Sequence, residues 1–81
     1  MNVLITGGAG FIGSALIRYL LRQTSVNIIN VDKLTYAGNP DAIELYASNP
    51  RYTFIHLDIC DVQGVQACLE NYKPDIVIHL A

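Results

Sequence analysis

The 81-residue chain has two cysteines, few charges and no long run of basic or apolar residues, and each shortage closes off a class of function. Cys60 and Cys68 stand at a spacing that fits neither a redox pair nor a zinc site, so no metal is expected. Two free thiols suit a reducing cytoplasm, and both cysteines are expected to serve as small, partly buried apolar residues. A net charge of −2 without a basic cluster gives no reason to expect nucleic acid or an anionic membrane surface as a partner. No stretch approaches the roughly 18 consecutive apolar residues of a membrane span, because polar residues interrupt every apolar run. The amino terminus is expected to enter a strand directly, with no signal peptide. Internal repeats, low-complexity tracts and linkers are also missing, which leaves one small domain at most. What remains is a chain with 52% hydrophobic residues, enough for a core.

The most informative segment is Gly7-Gly8-Ala9-Gly10-Phe11-Ile12-Gly13, set between the apolar Val3-Leu4-Ile5 and a helix-patterned stretch. Glycines at Gly7, Gly10 and Gly13 let a tight turn bring backbone N–H groups against a pyrophosphate at the positive end of a helix, where any Cβ would hold the phosphate off. The spacing is G-x-x-G-x-x-G rather than the better known G-x-G-x-x-G, and glycines alone also collect in ordinary loops. The succession of a helix, a strand and an acid after the turn makes the reading specific. Ile12, Ala15, Leu16, Tyr19 and Leu20 recur with helical period and predict a helix to about Arg22 with that face on a sheet. Val26 to Val31 then predicts a second strand ending at Asp32, about 20 residues beyond the glycines, where an acid accepts hydrogen bonds from an adenosine ribose. The backbone N–H groups of Phe11 and Ile12 are placed to meet the pyrophosphate. The Asp32 charge repels a 2′-phosphate and favours NAD over NADP, while the neighbouring Lys33 could pair with one.

The alternation continues along the chain. Asn39-Pro40-Asp41 predicts a helix start, with Ile43, Tyr46 and Ala47 buried and Asn49-Pro50 as its end. Tyr52 to Ile59 predicts a third strand with Asp58 at its carboxyl end. Asp61 is expected to cap a further helix whose Val62, Val65, Leu69 and Tyr72 share a buried face, closed by Lys73-Pro74. Asp75 to Ala81 reads as a fourth, nearly continuous apolar strand. Strands alternating with helices predict an α/β fold, the amino-terminal half of a doubly wound, Rossmann-like parallel sheet in order 3-2-1-4. A strand like the fourth expects cover on both faces and a neighbour on each edge, and a full dinucleotide fold has a second half. Residues 1–81 are therefore expected to be a partial NAD-binding domain from the amino terminus of a longer protein. The alternative is a complete small domain.

Thr6 before the glycine turn and Phe11-Ile12-Gly13-Ser14 completing it resemble the extended short-chain dehydrogenase/reductase superfamily, which acts largely on nucleotide sugars. Asp32-Lys33-Leu34-Thr35-Tyr36-Ala37-Gly38-Asn39, with Asp58-Ile59-Cys60-Asp61 and His79-Leu80-Ala81, looks like the dTDP-glucose 4,6-dehydratases over essentially the whole chain. The resemblance implies NAD as cofactor. It places Lys33, Leu34 and Thr35 along the adenosine, Asp58 and Ile59 beside the adenine, and Leu80 and Ala81 near the cofactor from the fourth strand. It also implies a lyase that converts dTDP-glucose to dTDP-4-dehydro-6-deoxyglucose: oxidation at C4, loss of water across C5 and C6, and return of the hydride to C6. A cytoplasmic homodimer acting on a nucleotide sugar is the expected whole.

Each site residue has a plainer role to set against this. Lys33 to Thr35 could be an ordinary polar loop, and Asp58 could cap the next helix, although Asp61 is better placed for that. His79 is expected to be a packed histidine with one satisfied nitrogen, and Tyr19 and Tyr72 to be packing residues. No catalytic residue is expected within the chain: none of Tyr19, Tyr36, Tyr46, Tyr52 or Tyr72 has a lysine four positions on, the spacing that would set an ammonium beside a phenol on one helix face. Two further readings stay open. One is a non-catalytic nucleotide-binding module, and the other is a nucleotide-sugar epimerase or reductase of the same superfamily. Continuation of the coding frame separates the first from the dehydratase, and the Asp32 to Asn39 run separates the second.

Overall fold

A computed structural model describes residues 1–33 and 48–80. Four strands, β1 (Asn2–Thr6), β2 (Asn27–Asp32), β3 (Tyr52–His56) and β4 (Ile76–His79), alternate with helices α1 (Phe11–Gln23) and α2 (Val62–Tyr72). The strands form one parallel sheet in the order β3-β2-β1-β4, as the alternation predicts. The predicted helix over Asn39 to Ala47 lies outside the described residues.

Side chains on a strand alternate between faces, so each face of the sheet builds its own core. Val3, Ile5 and Ile28 meet Ile17 and Leu21 of α1 together with Tyr52, while Leu4, Ile29 and Val31 face Cys68 of α2. Beyond the exposed Asn27 at its start, β2 is therefore apolar except at Asn30 and Asp32, which share the α1 face with Ile28. Both are almost wholly buried. Polar groups at such depth need partners, and the glycine turn supplies them.

Helix α1 turns a different face to the sheet from the one predicted, and α2 keeps part of its predicted face. In α1 the buried positions are Gly13, Ile17 and Leu21, flanked by Leu16 and Leu20, whereas Ile12 and Tyr19 are 70% and 61% exposed. The apolar residues of this helix cover a wide arc, so the pattern admits two faces about one position apart. Gly13 decides between them. A Cβ there would fall within 3 Å of the Gly7 carbonyl oxygen and the Gly8 Cα, so the helix can rest on the turn only along the line from Gly13 through Ile17 to Leu21. In α2 the face is Val65, Cys68 and Tyr72. Val62 and Leu69 point outward, and the small thiol of Cys68 takes the place nearest the sheet. Cys60, by contrast, is exposed and does not serve the core.

The helix ends follow their sequence signals. Asp61 accepts from the Gly64 N–H at 3.0 Å and caps α2. Lys73 ends it in the left-handed conformation, φ 45°, and Pro74 prevents continuation. The carboxyl end of α1 is closed by Arg51, whose guanidinium donates to the carbonyls of Leu21, Thr24 and Val26 at 2.6, 2.9 and 3.0 Å. Strands β3 and β4 are shorter than predicted. β3 ends at His56, so Asp58 and Ile59 lie in the turn that follows it, and β4 leaves Ile76 and Val77 substantially exposed.

Candidate cofactor site

The site forms where β1 hands over to α1. Gly7 continues the β1 ladder by donating to the Val31 carbonyl at 2.9 Å, then turns with φ 77°, a backbone conformation that glycine adopts without strain. The Gly10 N–H closes the turn on the Gly7 carbonyl at 3.2 Å. Gly10 then opens α1 in extended conformation, with no side chain to cap the helix. The first intrahelical bond runs from the Ser14 N–H to the Gly10 carbonyl, so the N–H groups of Phe11, Ile12 and Gly13 precede any helical acceptor. The Phe11 side chain is 91% exposed. This is a helix start left open to an anion by its sequence.

β2 grips the turn from below. Asn30 Oδ1 accepts from the Gly8 N–H at 3.0 Å and Asp32 Oδ2 from the Ala9 N–H at 2.9 Å. Two residues apart on one strand and on one face, they hold two consecutive backbone amides. Asp32 thus sits at the carboxyl end of β2, only 3% exposed, with its charge held against the glycine turn.

Beside it opens a cleft of about 250 Å³ lined by Gly7, Val31, Asp32, Lys33, Leu57, Asp58, Ile59 and Cys60. Pockets that take a whole ligand run from about 300 to 1,000 Å³, so this one is sized for one end of a longer molecule. Its rim carries a Lys33–Asp58 ion pair at 3.8 Å. The Asp58 carboxyl lies below the ordinary aspartate range, chiefly because the Cys60 N–H donates to it at 2.9 Å, with Lys33 adding a smaller pull. His56 Nε2 meets the Lys33 carbonyl at 2.9 Å and ties the two rims together.

The structure thus brings Gly7, Asp32, Lys33, Asp58 and Ile59 to one cleft and sets Gly10, Phe11, Ile12 and Gly13 at the helix start beside it. Leu80 stands apart from the cleft lining, its N–H donating to the Thr6 carbonyl at 2.9 Å. Leu34, Thr35 and Ala81 lie outside the described residues. His79 keeps one bonded nitrogen, Nδ1 at 2.7 Å from the Thr6 hydroxyl, but is exposed rather than packed. Asn30 and Tyr52 were not legible as site residues, because one interrupts an apolar strand and the other reads as an ordinary strand aromatic. The one hint was a polar residue two positions before Asp32. Among the described residues, no group of three His, Cys, Asp or Glu side chains is placed to hold a metal, and no helix is long and apolar enough to cross a membrane.

A parallel sheet in order 3-2-1-4, an uncapped helix after a glycine turn and an acid at the end of the second strand define the class: a Rossmann-like α/β fold. Within that class, the family model for GDP-mannose 4,6 dehydratase matches residues 4–81, and the chain belongs to this family. It is 54% identical over 81 residues to the dTDP-glucose 4,6-dehydratase of Haemophilus influenzae, covering all of this chain and 24% of that protein. The corresponding enzyme of Salmonella typhimurium is 49% identical over the same length, of which the chain covers 22%. Among solved structures, dTDP-glucose 4,6-dehydratase from Bacillus anthracis in complex with NAD superposes on the whole chain with a TM-score of 0.94 at 34% identity, 26% of that structure being covered. A UDP-Glc/GlcNAc 4-epimerase from Campylobacter jejuni gives 0.88 at 40% identity over 99% of this chain and 24% of its own. The chain spans about a quarter of the length of these relatives.

Proposed function

We propose that the chain is the NAD-binding part of a nucleotide-sugar dehydratase that converts dTDP-glucose to dTDP-4-dehydro-6-deoxyglucose with loss of water. The observation that carries the cofactor reading is Asp32. Its carboxylate is buried at the cleft and fixed by the Ala9 N–H, which supports a role in accepting from ribose hydroxyls and repelling a 2′-phosphate. Lys33 is engaged by Asp58, which draws its ammonium away from service to a 2′-phosphate and supports NAD over NADP.

In this reading the Phe11 and Ile12 N–H groups receive the pyrophosphate at the turn formed by Gly7, Gly10 and Gly13. Lys33, Leu34 and Thr35 flank the adenosine, Asp58 and Ile59 the adenine, and Leu80 and Ala81 approach from β4. When bound, NAD supplies the acceptor and later the donor of the hydride. The residues of this chain bind and orient it, and none of them is assigned a proton-moving step on the sugar. The likeness to the dehydratase relatives supports this substrate. A homodimer in the cytoplasm completes the reading, and two unpaired thiols suit that compartment.

The likeness to the Campylobacter epimerase favours one rival, a nucleotide-sugar 4-epimerase. The test is to produce the protein that the natural coding frame encodes, measure NAD and NADP binding, and follow dTDP-glucose by mass spectrometry. Preference for NAD and a product lighter by one water are expected. An isomer of unchanged mass would establish the epimerase instead, and a preference for NADP would overturn the cofactor reading.

A further inference from the structure

The polar network beneath the glycine turn includes a residue that the cofactor reading leaves without a role. Asn30 is 1% exposed, in the middle of the sheet, and both ends of its amide are engaged: Oδ1 accepts from the Gly8 N–H at 3.0 Å and Nδ2 donates to the Tyr52 hydroxyl at 3.1 Å. The partners fix which way the amide faces, because an N–H can only donate and the oxygen must therefore face Gly8. The contact is close enough that a Cβ on Gly8 would come within 3 Å of the Asn30 amide and of Ile17 Cδ1. A buried strand interior normally takes an apolar side chain, and a polar one persists there where its partners need it.

We infer that Asn30 is a positioning residue for the phosphate-binding turn, its amide clamped by the Tyr52 hydroxyl so that Gly8, and through it the start of α1, is held at a fixed height above the sheet. This rests on the reading of NAD as the ligand. The neutrality of the amide matters as much as its shape. Asp32 already places one carboxylate under the turn, and a second carboxylate at residue 30 would add charge of the same sign below a bound pyrophosphate. Asn30 therefore supplies the acceptor Gly8 needs without the charge. Tyr52, from the edge strand β3, supplies the reach that keeps the amide from rotating.

A role in placing the turn differs from a general role in stability by which ligands feel its loss. In the protein encoded by the natural coding frame, NAD, ADP and adenosine are titrated by calorimetry, with ligand-observed NMR for the weakest. Asn30→Ala is expected to weaken NAD and ADP about tenfold and adenosine, which carries no pyrophosphate, by less than about twofold. Tyr52→Phe is expected to weaken NAD and ADP about threefold with adenosine again spared. Equal losses on all three ligands, or no loss on any, would overturn the inference. Should Asn30→Ala fail to fold, the ADP-to-adenosine comparison in Tyr52→Phe decides alone, by the same criterion. If the unaltered protein binds none of the three, the NAD reading itself fails. If it binds them and the variants show no ligand difference, only the positioning role fails.

Discussion

In the proposed reading Asp32 carries two tasks at once, and they can be separated. Asparagine at this position keeps an acceptor for the Ala9 N–H, so the turn stays held, but removes the charge that repels a 2′-phosphate. Asp32→Asn should therefore shift the NAD-to-NADP affinity ratio toward NADP by about tenfold with the melting temperature little changed, measured by titration of both cofactors. Asp58 makes a second prediction. Its carboxyl is held below the ordinary aspartate range, first by the Cys60 N–H and then by Lys33, so its folded value lies under its unfolded one. A depressed carboxylate contributes stability that is fully present above the unfolded value, about 3.9, and is lost as pH falls through the lower folded value. A carbon-detected NMR titration should find Asp58 ionised below the pH at which ordinary aspartates protonate, and an ordinary midpoint would refute the depression. At this scale the sequence was legible where one residue has one local reason: Gly7 for its positive φ, Asp61 for its cap. Asn30 and Tyr52 were not legible, because their meaning lies in a pairing across the sheet that no local pattern announces.

Helix ends carry the predictions proper to elements. Asp61→Ala removes the acceptor for the Gly64 N–H and should cost about 1 kcal/mol in urea unfolding. Lys73→Gly should act in the opposite direction. Lysine holds φ 45° there at a conformational cost of about 1 kcal/mol that glycine does not bear, so the variant should be more stable, and a less stable one would show that the lysine side chain contributes more than the strain removes. Strand order and helix number among the described residues followed from alternation of pattern. The buried face of α1 did not, because α1 is apolar over too wide an arc and the choice was made by steric contact between Gly13 and the glycine turn. In α2, Val65 and Tyr72 lie on the sheet side as predicted, while Cys68 is buried and Leu69 points outward.

For the molecule as a whole, the sheet is well buried at β1 and β2 and bare at β4, where Ile76 and Val77 are 44% and 54% exposed. An apolar edge of this kind is a template for pairing with another chain. The 81-residue chain produced alone should self-associate with rising concentration, and Val77→Lys should suppress this in sedimentation velocity; equal association with and without the lysine would place the contact elsewhere. The same strand order has a consequence for synthesis. Among the described residues, the strand translated earliest is a central one, flanked by β2 on one side and, on the other, by a strand more than seventy residues later in the chain, to which Asn2 and Asp75 pin it. The nascent polypeptide therefore carries an unsealed seam through nearly the whole time that this region is being made. Within these residues, the last strand translated is the one that shuts it.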